Sequence, residues 1–418
     1  MTGHSIGRFL EALSFGYPFV MAWYWMAGGL LYRLIRGRHE PLYDAPPVLR
    51  EYPAVSILVP CHNEEAQAEE TFGRLALIDY PDFEIVAIND GSTDRTAQIL
   101  DSLAQRIPRL RVVHLAKNQG KSTALNIGAL LAKNEILVGT DGDAVLDRHA
   151  LVWFVRRFQS DSRLGGLTGN PRIRNRASLL GLLQVGEFSS IIGLIKRAQT
   201  VYGGLFTVSG VMCAFRKRAL HEAGWWSPET VTDDVEVSWR VQLVRWHLVY
   251  EPKAICWILM PETLRGLWRQ RLRWSVGGTQ AVLASTRALF SGKRWRLLPI
   301  WLNYIVSILW AYAIVIGSVF WLIAVIGIPL PYWAPIFSPI PGIWGVLLAA
   351  TYLLQSGISV LLDSRFEPRL RNVMFWIIWY PLLFWTLQAL TAVVGLPKAL
   401  LRPRGARGTW ISPDRGIR

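Results

Sequence analysis

Between residues 54 and 142, short apolar runs rich in β-branched residues alternate with longer stretches of mixed polarity. The runs are AVSILVP, FEIVAIND, LRVVHLA and EILVGTD. The stretches between them, EEAQAEETFGRLAL, DRTAQILDSLAQR and KSTALNIGALLA, read as helices, the second capped by Thr93 or Asp94. Strands this apolar, alternating with helices, predict an α/β domain whose mostly parallel sheet is covered on both faces.

Elsewhere the apolar positions fall into blocks: Tyr17–Ile35, Leu297–Ile328, Gly345–Leu362 and Val373–Leu396. Each is near or above the roughly 20 apolar residues that a spanning helix needs. Trp residues cluster in and around them, as in an interfacial belt. The first block carries a single charge, Arg33, near its end, where it can snorkel. It lacks a small-residue cleavage site and reads as a retained anchor. Basic RLIRGRH follows the first block and SGKRWRLL precedes the second, whereas the loop PLPYWAPIFSPIPG has no charge. The positive-inside rule then places residues 36–296 in the cytosol and that loop outside. This divides the chain into an anchor (1–35), a cytosolic domain (36–260), interface helices (261–296), membrane helices (297–396) and a tail (397–418).

In doubly wound sheets, ligands bind outside the carboxyl ends of the strands. Polar residues collect there. Asn63 and Glu64 follow the first strand, Asp90 ends the second, Asn118, Gly120 and Lys121 follow the third, and Asp141 and Asp143 end the fourth. Burying two carboxylates one residue apart is costly unless they are paired or bound to a metal. The constellation suits a phosphorylated ligand plus a cation. NDGSTD alone is no more than a turn and a cap, and NQGK lacks the Walker A spacing. DGDAVLD lacks the sixth-position glycine and twelfth-position Glu of a calcium loop. The weight lies in all four occurring at successive strand ends.

Two patterns lie downstream. Thr232, Asp233 and Asp234 precede a helix-like run, which a Thr cap and the helix dipole would explain by themselves. Gln270, Arg273 and Trp274 stand at i, i+3 and i+4 and share one helical face. Arg suits a diphosphate through its planar fork, and Trp offers a stacking plate. The same face would also suit a helix lying on a membrane.

Composition sharpens this only in part. Apolar residues make up 51% and mean hydropathy is +0.26. Lys and Arg outnumber Asp and Glu 45 to 30, a formal net charge of +15. That balance suits nucleic acid, an anionic membrane face or phosphorylated substrates. The membrane-length blocks favour the last two, and no nucleic-acid partner is expected. Cys61, Cys213 and Cys256 are scattered and read as reduced structural thiols.

The order VSILVPCHNEE, NDGSTD, NQGKSTALN, DGD, TDD and QRLRW resembles the processive family 2 glycosyltransferases. These are the membrane synthases of cellulose, chitin, hyaluronan and poly-N-acetylglucosamine. TGNPRIRNR, QVGEFSSIIGLIKR, TVSGVMCAFRKRAL, YEPKAICWILMPETLRGLWRQRLRW and the tail WISPDRGI are most similar to the bacterial poly-β-1,6-N-acetylglucosamine synthase branch. The resemblance runs from about Gly28 to Arg418. It departs from the family where Thr-Glu-Asp is Thr232-Asp233-Asp234, and where one amino-terminal block stands in place of two.

The resemblance implies a GT-A, Rossmann-like cytosolic domain on a multi-pass protein of the bacterial inner membrane. It implies UDP-N-acetylglucosamine as donor, with Pro60, Asn63, Glu64, Asp90, Lys121, Asp141, Gln270 and Arg273 contacting it. Mg²⁺ or Mn²⁺ would sit on Asp143 and Asp141. Asp234 would be the general base, beside Asp233 and Thr232, and Trp274 and Glu262 would hold the acceptor sugar. The growing polysaccharide, the lipid bilayer, a small membrane subunit and activating cyclic di-GMP are the implied partners.

Other classes are a transporter with a nucleotide-binding domain, a non-processive lipid-sugar synthase, another polysaccharide synthase of the family, and a membrane-anchored nucleotide sensor. The first predicts ATP motifs or charges within the blocks, and neither is evident. The tail poses its own question. Its basic KALLRPRGAR belongs in the cytosol, yet three full crossings would put it outside. Val373–Leu396, with Pro381, is therefore expected to kink or lie along the interface. A cytosolic tail would let Trp410 and Arg415 gate the donor site.

Overall fold

The computed structural model describes residues 3–37, 41–292, 294–330, 334, 342–377, 379, 381–403 and 405. Trp410, Arg415 and most of the uncharged loop lie outside the described residues. After helix α1 (Gly3–Arg36) come β1 (Val55–Cys61), α2 (Ala68–Ala76), β2 (Phe83–Asp90), α3 (Thr96–Arg106), β3 (Leu110–Leu115), α4 (Lys121–Leu131) and β4 (Ile136–Thr140). There follow β5 (Val145–Leu146), α5 (Ala150–Ser160), β6 (Leu164–Ile173), α6 (Leu179–Phe188), α7 (Lys196–Tyr202), β7 (Met212–Arg216), α8 (Lys217–Ala223), α9 (Asp233–Leu243) and β8 (His247–Ile258). Then come α10 (Leu264–Ser291), α11 (Leu298–Val325), α12 (Ile343–Asp363), α13 (Met374–Ile377) and α14 (Thr386–Leu401).

The eight strands form one sheet in the order β3-β2-β1-β4-β7-β6-β8-β5. The first four are parallel, as their apolar runs predict. β7 enters antiparallel to both β4 and β6, while β6 and β8 are parallel to each other. The period of two divides the strands cleanly. Val55, Ile57, Val59 and Ile85 join Phe72, Leu75, Leu100 and Phe154 on one face. Leu58, Val86, Ile88 and Leu137 meet Ala124, Leu125 and Ala129 of α4 on the other. Trp153 is fully buried, and its indole N–H donates to Tyr43 O at 2.9 Å, as a buried Trp requires. Neither Thr93 nor Asp94 is the N-cap of α3, which is Arg95; Asp94 stands one residue earlier and accepts from Thr96 N at 3.0 Å.

Among the described residues, four helical stretches are long and apolar enough to cross a membrane. Trp295–Val325, Ile343–Asp363 and Leu383–Leu401 match three of the expected blocks. The fourth, Leu179–Tyr202, is two-thirds buried inside the protein, more than any of the other three. α1 is not among the four, since the Tyr and Trp of YPFVMAWYWM lower its hydropathy. It nevertheless lies along α11, where Trp310 Nε1 donates to Ser14 O at 3.0 Å and Tyr17 Oη to Asn303 Oδ1 at 3.1 Å.

Val373–Leu396 is not one helix. It is broken into α13, a π-helical stretch Pro381–Trp385 and α14. α14 returns to α10, with Gly395 packed on Ser275. All three cysteines are buried.

Candidate active site

Three loops at the carboxyl ends of β1, β2 and β3 are laced together. Asn63 takes a left-handed conformation (φ 56°), which Asn tolerates, and its Oδ1 accepts from Thr93 N at 2.8 Å. His62 Nδ1–H donates to Asp90 O at 2.8 Å, which leaves Nε2 to accept from Asn118 Nδ2 at 3.0 Å. Gly91 also has positive φ, and a side chain there would strike the backbone of Lys117 and Asn118. Asp90 is fully buried, and its two carboxylate oxygens accept from Gln119 N (2.7 Å) and Gly120 N (2.8 Å). Asp90 therefore shapes the turn that delivers Lys121.

Lys121, the first residue of α4, reaches the end of β4, where its ammonium lies 2.5 Å from Asp141 Oδ1. Burial opposes the charge of Lys121, but Asp141, Asp233 and Asp234 outweigh it and hold the group above the usual lysine range. Asp143 stands two residues beyond Asp141, and Glu64 packs against the intervening Gly142. Pro60 lies inside β1, buried and in register with Ile88.

The other wall is the start of α9. Asp234 Oδ1 accepts from Val235 N at 2.9 Å and Oδ2 from Gly210 N at 3.3 Å. Desolvation and the adjacent Asp233 push the Asp234 carboxyl above its ordinary value, against the pull of Lys121 and Arg273. Thr232 packs on Gly277 of α10, where no side chain would fit, and its buried hydroxyl has no hydrogen-bond partner among the described residues. Arg273, exposed on α10, donates to Val231 O at 3.3 Å. α10 is thereby fastened to the turn that bears Asp233 and Asp234.

The remaining predicted residues sit further along α10 or just before it. Gln270 Nε2 faces Met260 Sδ at 3.9 Å, and its buried Oε1 has no partner among the described residues. Trp274 is half-buried under the Arg271 guanidinium, 4.2 Å from the ring. Glu262 accepts from Ser178 Oγ at 3.3 Å. Lys121, Asp141, Asp233, Asp234 and Arg273 thus form one electrostatic cluster, with Trp274 and Glu262 outside it. Sequence reasoning missed His62 and the Thr207–Gly210 loop. Both lie in quoted motifs, CHNEE and TVSG, but neither motif says what they touch.

Among the described residues no group of three or more His, Cys, Asp or Glu could enclose a metal ion. A cation here would rest on two carboxylates and take its remaining oxygens from a ligand, as Mg²⁺ commonly does with phosphates.

The sequence profile of glycosyltransferase-like family 2 matches residues 53–277. A poly-β-1,6-N-acetyl-D-glucosamine synthase of Staphylococcus epidermidis is 35% identical over 401 residues, spanning 96% of this chain and 97% of the relative. The synthase of the same name from Staphylococcus aureus strain COL is 35% identical over 410 residues, 98% and 99% of the two chains. A mannosyltransferase of Pyrobaculum calidifontis, solved with GDP-Man and Mn²⁺, superposes with TM-score 0.65 at 20% identity, covering 96% of this chain and 99% of its own. The shared architecture is the GT-A fold. On this profile match and these near-full-length relatives, the chain belongs to glycosyltransferase-like family 2.

Proposed function

We propose that the chain is a membrane-embedded, processive, inverting glycosyltransferase. It polymerises N-acetylglucosamine from UDP-N-acetylglucosamine into a β-1,6-linked polysaccharide and couples synthesis to export. The substrate reading rests on the synthases it resembles over nearly its whole length. The chemistry rests on one observation: Lys121 and Asp141 face Asp233 and Asp234 across the strand ends, with Arg273 closing the cluster.

Asp141 and Asp143 suit a hard divalent cation, Mg²⁺ or Mn²⁺. Both are partly exposed and carry only oxygen donors, which such an ion takes from carboxylates and phosphates together. Bound there, such an ion would offset negative charge on the departing diphosphate. Lys121 and Arg273 supply fixed positive charge to the same group from opposite walls. Asp234 takes the proton of the acceptor hydroxyl. That oxygen bonds to the anomeric carbon as the bond from the carbon to the diphosphate breaks, so an α donor yields a β link. The raised proton affinity of Asp234 suits a base that works nearer neutrality. Gln270 Oε1 and Thr232 Oγ1, buried without partners among the described residues, are acceptors that a bound sugar or nucleotide would satisfy. Trp274, stiffened by Arg271, supplies the platform for the terminal acceptor sugar.

Incubating membranes that contain the chain with labelled UDP-N-acetylglucosamine tests this reading. Polymer that a β-1,6-specific hexosaminidase digests is the expected product. A single sugar transferred to lipid would favour the non-processive reading instead.

A further inference from the structure

Lys196 opens α7 and is only 3% exposed. Its ammonium donates to Ser209 Oγ at 2.8 Å and reaches Thr168 Oγ1 at 3.5 Å. Both partners are neutral hydroxyls. A buried ammonium held this way is expensive unless an anion lies near. The loop above it is built on the same groups. Ser209 N donates to Thr168 Oγ1 at 2.8 Å, and the next amide, Gly210 N, donates to Asp234 Oδ2. Val208 N donates to Ser238 Oγ at 2.8 Å, and that hydroxyl donates to Asp234 O at 2.6 Å.

α7 is itself fixed from the other side. Arg197 pairs with Asp363 at 2.7 Å, and Arg172 of β6 holds the second oxygen of Asp363 at 2.9 Å. Burial drives the Lys196 ammonium down to about 7, and Asp234 is the first group working against that fall. The titratable and charged groups facing Asp234 are Asp233 on its own helix, Lys121 and its partner Asp141 from the strand ends, Cys213 from β7, Arg273 from α10, and Lys196 from α7.

We propose that Lys196 is a positioning residue for the transfer reaction. It pins the Val208–Gly210 loop so that Gly210 N–H meets Asp234 Oδ2, and in its protonated form it adds a positive charge on the α7 side of the base. This rests on Asp234 being the base. Lys196 needs no contact with donor or acceptor. Its removal should alter how the base works, not how the donor binds.

Steady-state incorporation by the full chain in nanodiscs, with four variants, tests it. Lys196→Met is expected to lower kcat about 10- to 100-fold, with donor KM within about threefold of the parent. The acid limb of its pH profile should move to higher pH, because a cation near the base is gone. Lys196→Arg keeps the charge and should keep the limb in place. Ser209→Ala breaks the hydroxyl link and should lower kcat by a smaller factor. It carries the test if Lys196→Met fails to accumulate. A parallel fall in kcat and rise in KM with an unmoved acid limb, or a normal kcat in Ser209→Ala, overturns the proposal. Asp234→Asn separates the two layers. Normal turnover in it removes the base assignment and this proposal together. An inactive Asp234→Asn beside an unaffected Lys196→Met removes this proposal alone.

Discussion

Two clusters of charge in this molecule use the same residue types for opposite ends. In the crevice, the side chains of Lys121 and Asp141 keep 18% and 23% of their surface open. At the junction between the sheet and α12, Asp363 is sealed at 0% and its partners Arg172 and Arg197 at 3% each. Arg176 pairs with Glu367 at the same junction, and Arg271 with buried Glu187 nearby. A pair with an open flank can exchange its partner for a ligand. A sealed pair can only be kept or broken, and breaking it strands a charge. The depth of the pair, more than its geometry, separates a binding group from a tie between domains.

The sharpest way to break that comparison is Asp363→Ala. It leaves Arg172 and Arg197 without their shared carboxylate and is expected to cost about 3–5 kcal/mol, seen as a lowered thermal midpoint in detergent. Asp234→Asn comes next. Polymer formation should fall by roughly 10²-fold or more, while calorimetry shows UDP still bound and folding intact. Loss of folding there would put the crevice in the same class as the junction. Lys121→Ala should weaken donor binding by about tenfold or more, with far less effect on folding than Asp363→Ala.

The pH profile gives a subtler measure. Asp234 accepts a proton only when ionised, and its surroundings raise its proton affinity. The acid limb of kcat/KM should therefore lie above the value of about 4 expected of an exposed carboxylate. Asp233→Asn removes a repelling neighbour and should move the limb down. The smallest effect belongs to Arg106→Ala, at the exposed pair with Glu69, where neither folding nor turnover should change measurably.

The first half of the catalytic sheet was legible because its strands are apolar on both faces and its helices are not. β1 to β4 and α2 to α4 fall where the runs lie. The reversal at β7 was not legible, because MCAFR is a short apolar run and carries no mark of direction. Hydropathy alone does not set Leu179–Tyr202 apart from the other apolar helices, although it is far more buried. Its Glu187 and Arg197 find partners only once Arg271 and Asp363 arrive from distant elements. The carboxylates and Lys121 were visible from their place at strand ends, whereas Lys196 reads as one more basic residue after an apolar stretch. Nothing in SVGG announces that Gly277 receives Thr232.

The lacing of the first three loops carries a consequence for anyone who would re-engineer the domain. His62, Asn63, Asp90, Gly91 and Asn118 form a single interlocked unit, since each fills a valence or a void that another leaves. A chimera that imports the NQGK turn from a relative without its matching CHNEE and NDGSTD segments would bring a plug without its socket. Recombination breakpoints that fall between β1 and α4 should be poorly tolerated, and those placed before β1 or after α4 should survive.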